Sequence, residues 1–240
     1  RFVEEGWSQK RLIRLLALSR AYRMASTVGN RRSLESDPEN RLLWRMNRQR
    51  LDAESIRDAM LVASGRLAAP VGGPGLPLEF PENISGLPIA KKSNHPQFSI
   101  KTERQSQNYE RTLYLPVVRT GTQPGTARLR DVFDFPQPAQ ITGKRNETTV
   151  PTQSLYLLNA DLIRQRAADL AGALLAATGS DDSRIQRLWL RVLNRSVNEA
   201  EQTDALAFLA ASRAGSADPS AAWTELARAL FGTNEFLLRD

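Results

Sequence analysis

The sequence predicts a mainly α-helical fold: a helical body built from the two ends of the chain, a long irregular Pro/Gly-rich middle, and at most a few short strands. Three observations carry this reading. Apolar residues recur at helical spacing over 8–67 and again over 152–238. Eleven of the 13 prolines fall between residues 70 and 151, a density that forbids long helices there. A hydrophobic content of 41% in 240 residues is enough to build a real core, so the chain is expected to be one domain over 1–240.

Taken in order, Ser8 is placed to cap a helix over 8–27, with Leu12, Leu15, Leu16, Ser19 and Tyr22 on one face and Lys10 and Arg14 opposite. Arg23 falls on the apolar side of that helix, which calls for a carboxylate or carbonyl partner inside the fold. Asp37-Pro38-Glu39 reads as a second helix start, with an acceptor, a proline at the first position and an acid in the first turn. Asp52 opens a third over 53–67, where Ile56, Ala59, Met60, Ala63 and Leu67 line one face.

In the irregular segment, 70–151, the best strand candidate is Thr112–Arg119, demoted to an edge by Pro116. Helical texture resumes at Thr152. Leu155–Ala177 is rich in Leu and Ala and reads as helical, and further apolar faces follow at Ile185–Val192, Ala205–Leu209 and Trp223–Leu230, with breaks at Thr178-Gly179-Ser180 and Gly215–Pro219.

Composition narrows the chemistry. Cysteine is absent, which removes disulfides, thiolate metal sites, thiol nucleophiles and covalent haem c attachment within these residues. The one histidine, His95, sits between Asn94 and Pro96 and reads as a loop imidazole, which argues against a Ser-His-Asp triad or a multi-histidine metal site. No run approaches the roughly 18 apolar residues of a membrane helix. Arg1 stands where an initiator Met or leader would, so the chain is expected to be the C-terminal fragment of a larger protein. The net charge of +7 is concentrated in the N-terminal half, and 28 of the 33 basic residues are Arg, as a GC-rich genome also produces. Arg111, Arg119, Arg128 and Arg130 near Tyr109 and Tyr114 resemble a nucleic-acid surface in composition only; with no recognisable motif, nucleic acid is not the expected partner.

Candidate binding residues lie in the middle segment. Arg145, Asn146, Thr148 and Thr149 gather charge, amide and hydroxyls just before a helix, where free N–H groups favour an anion; the structural alternative is that the threonines cap the helix. Asp134, between Phe133 and Phe135, is either a paired internal carboxylate or an acid in a pocket. Arg119 joins them as a candidate ligand contact. Glu54 and Asp58, at i and i+4, share one helical face and are expected, with Arg23, to belong to a structural ion-pair network.

Several longer strings carry a family likeness. They are Trp7 with Lys10-Arg11-Leu12 and Ser19–Arg23, Asp37-Pro38-Glu39-Asn40-Arg41-Leu42-Leu43-Trp44-Arg45, Arg50–Glu54 with Ile56-Arg57-Asp58, and Gly72-Gly73-Pro74. Tyr114–Arg119, Val132-Phe133-Asp134-Phe135, Arg145–Pro151 and Asn234-Glu235-Phe236 complete the set. Over nearly its whole length the chain resembles a planctomycete-specific C-terminal domain of unknown function, found in large exported proteins that often carry a planctomycete cytochrome c domain. The resemblance implies an exported location in the periplasm or cell envelope, other domains of the parent protein as partners, and any haem c attached outside this chain. It implies no activity. The expected role is therefore a non-catalytic or substrate-contacting module, with an anionic or carbohydrate ligand. The alternative is an envelope enzyme acting on polysaccharide with Asp134, Glu54 or Asp58 as acid or base.

Overall fold

The computed structural model describes residues 1–26, 29–68, 72, 109–115, 117, 127–215 and 218–239. Among these the chain forms ten α-helices and two short strands, so the mainly α reading holds. It divides into two compact units: Arg1–Arg50 with Leu238–Asp240, and Leu51–Leu237.

In the smaller unit, α1 (Gln9–Ala17) begins where Ser8 Oγ accepts the Arg11 N–H at 3.4 Å. It stops ten residues short of the expected end. Ser19 Oγ accepts the Tyr22 N–H at 3.2 Å, and a side chain that bonds locally in this way competes with the helical ladder. Arg23 is consequently off any helical face: it is exposed and has no ion pair among the described residues, which corrects the expectation of an internal partner. Asn30 caps a short α2 (Arg31–Ser36) by accepting from Ser33 N–H.

Asp37 does not open a helix. Its carboxylate accepts from the N–H groups of Arg41 (2.9 Å) and Leu42 (2.8 Å), further along the chain than a cap reaches, and Asn40 turns into the left-handed region at φ 55°. Asn40 then bonds Arg45 through both its amide groups and Asn47 at 2.7 Å, while the Trp44 indole donates to the Asp37 carbonyl. The result is a closed loop. The Leu42 N–H, joined by that of Arg41 and by nearby guanidinium charge, holds the Asp37 carboxyl below the usual carboxylate range despite partial desolvation. Strand β1 (Gln49–Arg50) pairs antiparallel with β2 (Leu238–Arg239), bringing Arg239 over the Tyr22 ring.

The larger unit holds the core. Helix α3 (Ala53–Ala63) is capped by Asp52, which accepts from Ser55 N–H at 2.7 Å, and it buries Ala53, Ile56, Met60 and Ala63. The expected strand at Thr112 is instead a 3₁₀ turn, Thr112–Tyr114, with Thr112 buried and Leu113 exposed; Val118 and Arg119 lie outside the described residues. A six-residue helix, α4 (Ala127–Val132), interrupts the irregular middle.

The helical texture over Leu155–Ala177 is carried by two helices. Pro151 occupies the first position of α5 (Pro151–Asn159), Ala160 is extended at ψ 135°, and α6 (Asp161–Ala176) starts at once with an acid in its first turn. Leu and Ala run through both, so apolar spacing alone does not reveal the break. Helices α7 (Asp181–Leu193), α8 (Glu199–Gly215), α9 (Pro219–Phe231) and α10 (Asn234–Leu237) follow. Helices α6 and α9 make the most extensive contact among the described elements, and Ala167 and Ala171 of the first share the core with Trp223, Ala227 and Phe231 of the second. Asn194 ends α7 in the left-handed region, as a C-terminal residue with a short polar side chain tolerates. Just beyond it, Arg195 forks between Glu201 (2.6 and 2.8 Å) and Glu235 (2.5 and 2.8 Å), which ties the starts of α8 and α10 together. The fork holds the Glu201 carboxyl down at about 2.

Candidate functional site

The polar residues singled out in sequence gather in the larger unit along α3, α4 and the start of α5. Arg57 lies on the buried stripe of α3 with Ala53, Ile56 and Met60, an unusual place for a guanidinium. Its Nη1 donates to the Glu110 carbonyl (2.8 Å) and to Thr112 Oγ1 (3.1 Å). Thr112 in turn donates its N–H (2.8 Å) and its hydroxyl (2.6 Å) to Asp58, the residue after Arg57 on α3, and the Thr112 carbonyl accepts from Arg130 of α4 at 3.3 Å. Every polar atom of this buried threonine is therefore engaged. Arg130 also reaches the Leu115 carbonyl, so two arginines and one aspartate clamp the 110–115 segment.

Burial pulls the Arg57 pKa down to about 10; Asp58 opposes that fall, while Arg130 and Arg166 add to it. The group remains a cation at neutral pH. Burial lowers Arg130 as well, against the charges of Glu54 and Asp131. A second cation pair stands beside the clamp: Arg66 and Arg166 share Asp169 at 2.7 and 3.1 Å and both lie over the Tyr109 ring. The Nε and Nη1 of Arg166 are buried with no hydrogen-bond partner among the described residues.

Asp134 owes its place to the end of α4. The Phe135 N–H reaches back to the Arg130 carbonyl at 2.9 Å, the six-to-one bond that closes a helix, and Asp134 is the left-handed residue this closure requires, at φ 58°. Its carboxylate, half-buried, accepts from the Thr148 N–H (2.8 Å) and hydroxyl (2.9 Å). Gln153 completes the clip by donating to the carbonyls of Thr148 and Val132, both at 3.1 Å, and by accepting from the Val150 N–H at 3.4 Å. Thr148 thus braces Asp134, and Val150 stands at the cap position of α5 without a side-chain cap bond.

Arg145 meets Glu54 bidentately at 2.7 and 2.8 Å, with Asp52 at 3.8 Å, and its guanidinium lies over the Phe135 ring, as does that of Arg130. The Glu54 hydrogen bonds raise the Arg145 pKa. Asn146 and Thr149 are exposed and touch neither carboxylate. Arg119 lies outside the described residues. The structure therefore brings Asp134 together with Thr148, and Arg145 together with Glu54, in separate contacts.

A groove of about 560 Å³ is lined by Arg128, Val132, Leu155, Tyr156, Asn159 and Leu162, among others. Burial pushes the Tyr156 hydroxyl up to about 12 against the opposing charge of Arg128. Among the described residues no group of three or more His, Cys, Asp or Glu is placed to hold a metal ion.

The model of a family described as PSD1, protein of unknown function (DUF1553), matches residues 1–209. The chain belongs to this family. Neither a curated protein nor a solved structure matches it. The DUF1553 match contains the whole clamp, the Asp134 clip and the Arg145–Glu54 pair, and ends within α8. Sequence reasoning missed the roles of Arg57, Thr112, Arg130 and Arg166 in this DUF1553 chain. A signal was present: Arg57 and Arg166 each sit on the apolar stripe of a helix, the first beside Ile56 and Met60 and the second beside Ile163 and Leu170.

Proposed function

We propose that this DUF1553 chain is a non-catalytic, substrate-contacting module of a multidomain cell-envelope protein, one restricted to planctomycetes and joined to c-type cytochrome domains. The observation that carries the non-catalytic part is the commitment of the three candidate carboxylates. Glu54 is forked by Arg145, Asp58 holds Thr112 and lies 3.6 Å from Arg57, and Asp134 holds Thr148. A general acid or base has to reach substrate with the same atoms. The export, the envelope location and the cytochrome neighbours rest on the family resemblance of the sequence strings. With no cysteine in the chain, haem c attaches in another domain of the parent. The exposed amide of Asn146 and hydroxyl of Thr149, beside the Arg145 cation, offer contacts for an anionic or carbohydrate ligand.

The test is turnover of envelope polysaccharides by the parent protein and its Glu54→Gln, Asp58→Asn and Asp134→Asn variants. Equal turnover in all four supports a module that contacts substrate without acting on it. Loss of turnover in a variant that keeps its helical circular dichroism establishes the polysaccharide-acting enzyme instead. Haem staining of the purified parent reads the cytochrome association separately.

A further inference from the structure

The break between α5 and α6 opens a concavity in the larger unit. Ala160 is extended between the two helices, α4 packs against α5, and the wall of the groove, about 560 Å³, is drawn from all three. Thr152, Leu155, Tyr156 and Asn159 recur at helical spacing and so share the face of α5 that lines it. Val132 of α4 and Leu162 of α6 add apolar sides, each packed in part against the core. Small-molecule sites occupy about 300–1,000 Å³, and the groove falls within that range.

Two hydrogen-bond donors of the wall are uncommitted. Arg128 is exposed, with neither an ion pair nor a hydrogen bond among the described residues. The Tyr156 ring packs edge-on against Phe133, with centroids 6.4 Å apart, and its hydroxyl has no hydrogen bond among the described residues. With its pKa pushed up to about 12 by burial, that hydroxyl keeps its proton at neutral pH, and Arg128 is near enough for its charge to oppose the rise. Two other polar groups of the wall are engaged. The Asp161 carboxylate is paired with Arg164, and the Asn159 amide donates to the Leu155 carbonyl at 2.8 Å. Arg128 is therefore the uncompensated charge of the groove.

We infer that this groove binds a small apolar carboxylate, a single carboxyl group carried on a hydrocarbon ring. The Arg128 guanidinium and the Tyr156 hydroxyl donate to the carboxylate oxygens, and the ring lies on Val132, Leu155 and Leu162. One guanidinium with one neutral donor matches a monoanion, whereas a phosphate dianion would keep a charge unmet. Leu155 is 58% exposed, so covering it supplies apolar contact. Arg145, Asn146 and Thr149 do not line the groove, so the site goes beyond the substrate-contacting reading and does not rest on it.

Calorimetric titration of the intact protein with 2-naphthoate, 2-naphthamide and acetate tests the inference, because the amide keeps only the ring and acetate only the charge. Naphthoate is expected to bind tightest, with the other two weaker by about tenfold or more. Arg128→Gln brings naphthoate down to the affinity of the amide, Tyr156→Phe weakens it severalfold, and Leu155→Trp fills the groove and blocks both ring compounds. Arg128 has no partner to lose among the described residues, so Arg128→Gln keeps its circular dichroism and carries the test even if Leu155→Trp unfolds. Equal affinity for naphthoate and its amide, acetate binding as tightly as naphthoate, or no saturation up to about 10 mM naphthoate overturns the inference. So does naphthoate binding that Arg128→Gln leaves unchanged.

Discussion

Replacing Arg57 with Ala tests whether the buried clamp stabilises the larger unit. The substitution removes two hydrogen bonds from a charged donor, each worth about 1.5–3 kcal/mol, and the ion pair to Asp58 at 3.6 Å. Removing a buried guanidinium also recovers part of its desolvation cost, so the loss is smaller than the sum of its bonds. Asp58 keeps both Thr112 donors and is 26% exposed, so it is not stranded as a bare buried charge. The balance comes to about 3 kcal/mol, the low end for breaking a buried pair. Urea unfolding at pH 7 reads it: with a slope of about 3 kcal/mol/M, the midpoint falls by about 1 M at unchanged slope. Hydrogen exchange at the Thr112 and Leu115 amides accelerates in the same variant, because the 110–115 segment loses its anchor. A loss below about 1 kcal/mol, with exchange at those amides unchanged, refutes the reasoning.

Three further outcomes follow from the geometry. Asp134→Ala destabilises more than Asp134→Gly, by about 1 kcal/mol in thermal or urea unfolding, since both lose the Thr148 bonds but only Gly relieves the left-handed backbone; equal losses would assign the whole effect to the carboxylate. Glu201 is held at about 2 against an ordinary 4.5, so its pairing with Arg195 contributes stability above pH 4.5 that is lost as pH falls through 2. Screening at a partly exposed site keeps that increment near 1 kcal/mol, and Glu201→Gln flattens the stability profile over the same window. Arg145→Lys keeps the charge but not the fork onto Glu54, and at a solvent-facing pair this costs at most about 1 kcal/mol; a larger drop in unfolding free energy contradicts a surface role.

The fold class and most helices of the larger unit are legible in the sequence because their apolar stripes are long and regular. What escapes is local competition for hydrogen bonds. Ser19 ends α1 by bonding Tyr22, Asp37 gathers two loop amides in place of starting a helix, and Thr112 gives up a strand to satisfy Asp58, Arg57 and Arg130. In each case a short polar side chain finds partners that no periodicity announces. Of the candidate site, Glu54, Asp58, Asp134, Arg145 and Thr148 are recognisable as residues that need partners, but their pairings span from 14 residues (Asp134 to Thr148) to 91 (Glu54 to Arg145), distances over which spacing says nothing. Arg23 misled because its need for a partner was inferred from a helix that ends six residues earlier.

The pairing of β1 with β2 joins Gln49 to Arg239 across 190 residues of chain. During synthesis the first 50 residues therefore leave the ribosome with this edge unmatched, and it stays so until residues 238 and 239 emerge. The smaller unit therefore acquires β2 only after residues 51–237 have been made, a pairing of long sequence separation that closes late. Removing residues 238–240 takes the partner strand away from Gln49 and Arg50, so its effect is felt some 190 residues away in sequence.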